Sequence, residues 1–394
     1  MRKWISILLV LSLALFALGC QGSTKEAASS SGTTEANKEP YKIGAVVSAT
    51  GPSSPLGLPE KNTLELEVEK INKAGGINGH KLELIIEDDQ SDAKNAVTAV
   101  SKLIDKEKVI AVIAATISPS SIAVKPEIAK AKIPQMAMAA GIPITQDDPK
   151  EWVFRTANSD AVAVQKVIDY LSKDLKVKKI AILSDTNAFG QSGTDEFKKL
   201  APKAGLDIVI VERYQTQDTN MTAQLTKIKG TDAEALVVWG TNPGPAQAAK
   251  NMKELGMTIP YVGSHGIANK TFIQLAGGAA EGVVFPAGKV LVPSSAKGEQ
   301  AEVINKFMSD YKAKYNENPN SFAGHAYDAI NILAEALKKA GTSDGVKLRD
   351  AIEKTSGFVG ITGIFNYSKD NHDGTGADDM VMIEIKEGKW VEKK

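Results

Sequence analysis

Val109-Ile110-Ala111-Val112-Ile113, followed one residue later by Ala115-Thr116-Ile117-Ser118-Pro119-Ser120-Ser121, decides the fold. An unbroken apolar run rich in β-branched residues reads as a strand covered on both faces, the usual state of a parallel strand. The hydroxyl-rich turn after it opens a helix expected over 120–130. A strand that ends in a turn and feeds a helix is the repeating unit of an α/β sheet. Ligands in such folds gather at the carboxyl ends of strands against helix N-termini. The Ser/Thr turn therefore offers hydroxyls and backbone N–H groups to an anion. Ser118 is the first residue to examine there, its other reading being an N-cap that touches no ligand.

The same alternation extends in both directions. Upstream, a strand is expected over 42–48, then a turn at Thr50-Gly51-Pro52. A helix over 62–72 with Leu64, Leu66, Val68 and Ile71 inward stops at Gly75-Gly76. A strand over 82–86 and an amphipathic helix over 92–106 complete that side. Downstream, strands are expected over 135–138, 179–183, 207–212, 235–239 and 261–262. Helices are expected over 161–175, 193–201, 221–229 and 245–255. The pattern defines α/β architecture with parallel sheets covered by helices on both faces. About 350 residues of it exceed one doubly wound sheet, which implies two lobes.

Composition narrows the function. The chain has 394 residues, 43% hydrophobic, with 47 Lys+Arg against 47 Asp+Glu, a balance unsuited to a dedicated nucleic-acid binder. One cysteine excludes an internal disulfide framework or a multi-thiolate metal site, and four scattered histidines argue against a His-rich one. No metal or cofactor is expected. The Walker A, His-Glu-x-x-His and Gly-x-Ser-x-Gly patterns are absent, so no enzyme is expected. Glu87, Asp88, Asp89 and Asp92 read as a solvated strand end and helix cap. The segment from Asp370 to Gly374, with Asp378 and Asp379, lacks the spacing and closing Glu of a calcium loop and reads as polar surface.

The N-terminus reads as an address. Arg2 and Lys3 precede an apolar run of about 14 residues, Ile5 to Leu18, too short to span a bilayer comfortably. The run ends Ala17-Leu18-Gly19-Cys20, with the chain's sole cysteine last. This resembles a bacterial lipoprotein signal, although Ala17 stands where Leu is usual. The resemblance implies a signal peptide over 1–19, lipidation of Cys20 and a membrane anchor. Residues 21–39 are Ser/Thr/Ala/Gly-rich with almost no large apolar side chain, and read as part of a flexible tether over 20–40.

A more specific resemblance covers 41–394. Thr50-Gly51-Pro52, the run from Ile71 to Gly79, Glu87-Asp88-Asp89 with Asp92, Ala188-Phe189-Gly190, the run from Ala276 to Gly282, and Ala326-Tyr327-Asp328-Ala329 fall in order. Together they resemble the leucine/isoleucine/valine-binding protein family, type I periplasmic binding proteins that serve bacterial ABC importers. The resemblance implies two doubly wound parallel-sheet lobes joined by three crossing strands, with a ligand cleft between them. Lobe 1 would be 41–157 plus 289–356, and lobe 2 would be 158–288 plus 357–394. Crossings would lie near 156–159, 286–289 and 356–360. It also implies extracytoplasmic localisation, a small-molecule ligand and ABC permease subunits as partners. A sensory module without transport is the rival role.

Site residues carry over position by position. Ser118 matches a serine that holds the ligand carboxylate. Ala139 and Gly141 match a loop that supplies a carbonyl to the ligand ammonium and a threonine hydroxyl to its carboxylate; Gly141 replaces that threonine. Phe189 and Thr241 replace tyrosines. Leu56 and Phe322 match positions that pack the ligand's side chain, and either could equally be core. Trp239, at a strand end beside Thr241, reads as core. The main departure is His265, where amino-acid-binding relatives carry a glutamate opposite the α-ammonium. Imidazole supplies no fixed negative charge, and a buried unpaired ammonium costs several kcal/mol. The ligand is then a carboxylate with an apolar body and no ammonium, or a leucine-like amino acid balanced by Asp160 or Asp185.

Overall fold

The computed structural model describes residues 38–394. The expected leader over 1–19 and Cys20 lie outside this range, as does the expected tether up to residue 37. Strands β1 (Lys38–Val47), β2 (His80–Asp88), β3 (Ala111–Ala114), β4 (Gln135–Ala137) and β5 (Val153–Arg155) form a parallel sheet ordered β2-β1-β3-β4-β5. β1 starts before Tyr41 because Lys38 pairs with His80 and donates from Nζ to Asn78 O. Residues 38–40 thus belong to the domain rather than to a tether.

The second sheet holds β6 (Lys179–Asp185), β7 (Asp207–Tyr214), β8 (Ala235–Trp239), β9 (Tyr261–Gly263) and β10 (Val284–Gly288), all parallel. A small hairpin, β11 (Phe358–Val359) and β12 (Ile364–Phe365), stands apart. The chain then adds β13 (Met380–Lys386) and β14 (Lys389–Glu392) antiparallel at the sheet's edge, ordered β14-β13-β10-β9-β8-β6-β7. The β13–β14 turn needs positive φ at both central residues, and Glu387 and Gly388 supply 50° and 68°.

Each sheet has its own core. On the first, Ile43, Ala45, Ile113, Met136 and Phe154 pack under helices Ser321–Ala340 and Gly345–Glu353. The longer helix buries Ala326, Ala329, Ile330, Leu333 and Leu337 at helical spacing. On the second, Leu236, Val238, Phe272 and Phe285 fill one face, and Ile182, Phe197, Val237 and Trp239 the other. Among the described residues no helix is long and apolar enough to cross a membrane.

The chain passes between the sheets from Arg155 to the helix Asp160–Asp169, and again after Gly288 into the helix Gly298–Tyr315. The third passage differs from the expected 356–360. Phe365 and Tyr367 are buried in the first sheet's core, so the chain leaves that lobe only between Tyr367 and Met380. The helix Ser54–Lys73 begins two turns before the expected 62–72, because Gly57 and Pro59 mask its first turns in the sequence.

Candidate binding site

A cavity of about 190 Å³ lies between the sheets. One wall comes from the first sheet's strand ends and helices: Ser53, Leu56, Thr116, Ser118, Ala139 and Phe322. The other comes from the second sheet: Asn187, Phe189, Thr216, Thr241, His265 and Gly266. Seven of the eight residues expected from sequence line it. Gly141 does not; its N–H donates to Ser118 Oγ at 3.1 Å and its carbonyl accepts from Arg155 at 2.9 Å. Trp239 is fully buried behind the wall.

The sequence of the turn from Ala115 to Ser121 promises a supply of hydroxyls, but most are engaged. Thr116 Oγ1 donates to Glu60 and accepts from Ser48 N–H. Ser120 Oγ donates to Asp89, and Ser121 Oγ both donates to and accepts from Ala115. Burial raises Glu60 well above the usual carboxylate range. Asp89 is not solvated as expected: it is fully buried and also accepts from Ser48 Oγ and Ser91 N–H. Asp92 does cap its helix, accepting from Lys94 and Asn95 N–H. Ser118 differs from its neighbours. Its oxygen accepts from Gly141, which directs its proton elsewhere, and its N–H meets no acceptor among the described residues. A guest carboxylate would find both donors. Ser118→Ala should weaken binding of a carboxylate ligand by about 1–3 kcal/mol, the range of a lost bond to a charged group. Calorimetry measures this, and an unchanged affinity removes Ser118 from the site.

On the opposite wall, Asn187 caps the helix Ala188–Leu200 through Phe189 and Gly190 N–H, which sets Phe189 in the first turn facing the cavity. Ser264 accepts from Gly266 N–H and donates to Gly240 O, fixing the single turn that presents His265. Gly266 has no room for a side chain: a Cβ there would meet Gly240 O at 2.5 Å. His265 stands edge-on to Phe189 and Trp239 with ring centroids 5.4 and 5.7 Å away. Desolvation pushes it down to about 3, helped by His325 and Arg155. His325 also lines the cavity and was not anticipated; its spacing of three from Phe322 on one helix face was the available signal. Burial holds it at about 3 as well.

Of the residues lining the cavity, Asp92 alone carries a carboxylate, and its Oδ1 serves as the helix cap. Neither Asp160 nor Asp185 reaches the wall. Asp185 Oδ1 accepts from Asn187 N–H and Thr216 Oγ1. Asp160 sits behind His265, and burial raises it to about 7. No group of three or more His, Cys, Asp or Glu among the described residues is placed to hold a metal ion.

The neutral imidazoles make stability depend on pH. The unfolded His265 protonates below about 6.5, whereas the folded one stays neutral to about 3. Its contribution is therefore complete above pH 6.5 and is lost as pH falls through that window. His265→Phe removes this loss. Denaturant unfolding between pH 6.5 and 4.5 should show the variant gaining on the parent by about 1.4 kcal/mol per pH unit.

A cleft between two α/β lobes joined by three passages, walled by both and sized for one small molecule, defines a solute-binding protein. The chain belongs to the periplasmic binding protein family: the family's model matches residues 40–389. Its fold is the type I form, and its curated relatives include Leu/Ile/Val-binding protein homolog 3 of Brucella melitensis, 26% identical over 83% of this chain and 87% of the relative. An extracellular ligand-binding receptor from Rhodopseudomonas palustris superposes with a TM-score of 0.84 at 27% identity, covering 90% of this chain and 99% of that one. The branched-chain amino acid transporter substrate-binding protein of Streptococcus pneumoniae, solved with isoleucine, gives 0.80 at 27% identity over 90% and 100%. The family and these relatives are solute-binding proteins, not enzymes.

Proposed function

We propose that this protein is the substrate-binding lipoprotein of an ABC importer of the branched-chain amino acid type. In this reading the leader over 1–19 directs export, Cys20 carries the lipid, and the permease subunits receive the ligand. The ligand is a small carboxylate with an apolar body, such as an aromatic acid. Its carboxylate meets Ser118, and its body lies among Leu56, Phe189 and Phe322. The carrying observation is that the one carboxylate lining the cavity, Asp92, caps its helix through Oδ1, and that His265, at the position where amino-acid-binding relatives carry a glutamate, is held neutral. The size agrees: a cavity of about 150 Å³ holds a benzene, so 190 Å³ accommodates a ring with one carboxylate.

A leucine-like amino acid is the second reading, favoured by the names of the relatives and by the isoleucine in the Streptococcus structure. Calorimetry on protein stripped of ligand by unfolding and refolding separates the two, using benzoate, 4-methylpentanoate and L-leucine. The last two differ chiefly in the ammonium. Benzoate or 4-methylpentanoate should bind at least tenfold tighter than leucine. Tight leucine binding with neither acid bound overturns the carboxylate reading.

A further inference from the structure

A second polar end of the cavity lies apart from Ser118. Ser53 holds the N-cap position of the helix Ser54–Lys73, yet its side chain caps nothing. The residue is only 4% exposed, and its N–H donates to Ser91 Oγ at 3.0 Å. Its own hydroxyl meets no partner among the described residues and is not sealed from the cavity it lines. Ser91 is occupied, donating to Thr50 O at 2.9 Å. Asp92 lines the cavity from an exposed rim. Its Oδ1 accepts from Lys94 and Asn95 N–H, which leaves Oδ2 without a described partner. From the other lobe Gln217 lines the same end.

Sheet order sets the separation. Ser118 follows β3 and Asp92 follows β2, with β1 and the Ser53 turn between them. Two strand spacings make about 10 Å between the outer strand ends, room for a six-membered ring. Gln217 follows β7, the edge strand of the second sheet, as β2 is an edge of the first. Ser53 and Leu56 are three residues apart and both line the cavity, so the free hydroxyl borders the side chain that packs the ligand's body. We propose that Ser53 and Asp92 recognise a hydroxyl at the far end of the ligand's apolar body, which makes the ligand a hydroxylated aromatic acid. The inference rests on the carboxylate reading and adds the second polar group. A ligand hydroxyl donates to Asp92 Oδ2 and accepts from Ser53 O–H, so one group satisfies both. An ammonium has no lone pair for the Ser53 proton. A methyl group would leave both partners unpaired once the lobes exclude water.

Calorimetry on the stripped protein compares benzoate with its 3-hydroxy, 4-hydroxy, 3-methyl and 4-methyl derivatives. At least one hydroxy acid should bind about tenfold tighter than the methyl acid substituted at the same carbon, the scale of a hydrogen bond to a charged group. Ser53→Ala and Asp92→Asn should each cut that ratio to below about threefold. Both variants are built to fold. The Ser53 hydroxyl makes no bond to lose, and Asn caps a helix as well as Asp does. Two results overturn the inference while the carboxylate reading stands: benzoate binds and neither hydroxyl adds affinity, or the hydroxyl advantage survives in both variants. If no member of the series binds, the carboxylate reading and this inference fall together.

Discussion

Arg155→Met is expected to destabilise the protein by about 3–5 kcal/mol, the cost of stripping one partner from a buried ion pair. Arg155 ends β5 where the chain leaves the first lobe, and it has no exposed surface. Four of its five N–H donors are used. Nε donates to Asp373 Oδ1 at 2.8 Å, and the two terminal nitrogens donate to Ala139 O, Gly141 O and Thr145 Oγ1. Arg155 holds Asp373 below the usual carboxylate range despite burial. Met fills similar volume but leaves that carboxylate without its cation and the Ala139 carbonyl without a donor, while Gly141 O keeps only the Ile144 N–H. Lys keeps the charge but not the planar fork, so Arg155→Lys should recover only part of the loss. Urea unfolding measures both variants. A change below about 1 kcal/mol for Arg155→Met would mean that Asp373 turns to solvent without cost. Replacing both partners with apolar residues should restore much of the stability, because no orphaned charge then remains.

This pair also marks where the sequence stops being readable. Arg155 and Asp373 are 218 residues apart, and nothing in either neighbourhood announces the other. Asp373 lies in a stretch of Asp, Asn, His and Gly that local composition assigns to polar surface. In the structure His372 is buried against Phe154 and Asp373 answers a buried cation. Composition reports which groups prefer water, not which have found a partner inside. Asp89 fails in the same way, through the hydroxyls of Ser48 and Ser120. The strands were legible because burial on both faces writes itself as unbroken apolar runs; β8 falls on the expected 235–239. Helix ends were less legible where Gly57 and Pro59 sit inside the helix Ser54–Lys73. The cleft residues came mostly from strand-end logic and the family resemblance. His325 escaped because a histidine among Ala, Ile and Leu on a helix reads as core until a neighbouring lobe is known to face it.

His265→Glu is expected to reverse the ligand preference, raising affinity for L-leucine by at least about 100-fold, or roughly 3 kcal/mol, and lowering that for benzoate to a similar degree. Family resemblance puts a glutamate at this position in amino-acid-binding relatives, and the backbone needed to present it is already in place through Ser264 and Gly266. A carboxylate here gives the ammonium its missing partner within a site that excludes most water, where the attraction is only weakly screened. It would repel a second anion in a cavity of about 190 Å³ for the same reason. Asp160 stands 3.9 Å from the present imidazole, so a new negative charge would raise it further from its value of about 7 and keep it protonated. The unliganded variant should therefore lose stability, because its glutamate has no cation until leucine arrives. Calorimetry with leucine and benzoate, with thermal unfolding in the presence and absence of each, reads every part of this. If the parent already binds leucine tightly and His265→Glu leaves both affinities in place, the counter-charge for the ammonium comes from elsewhere in the cleft. His265 would then be a wall residue rather than the group that chooses the ligand.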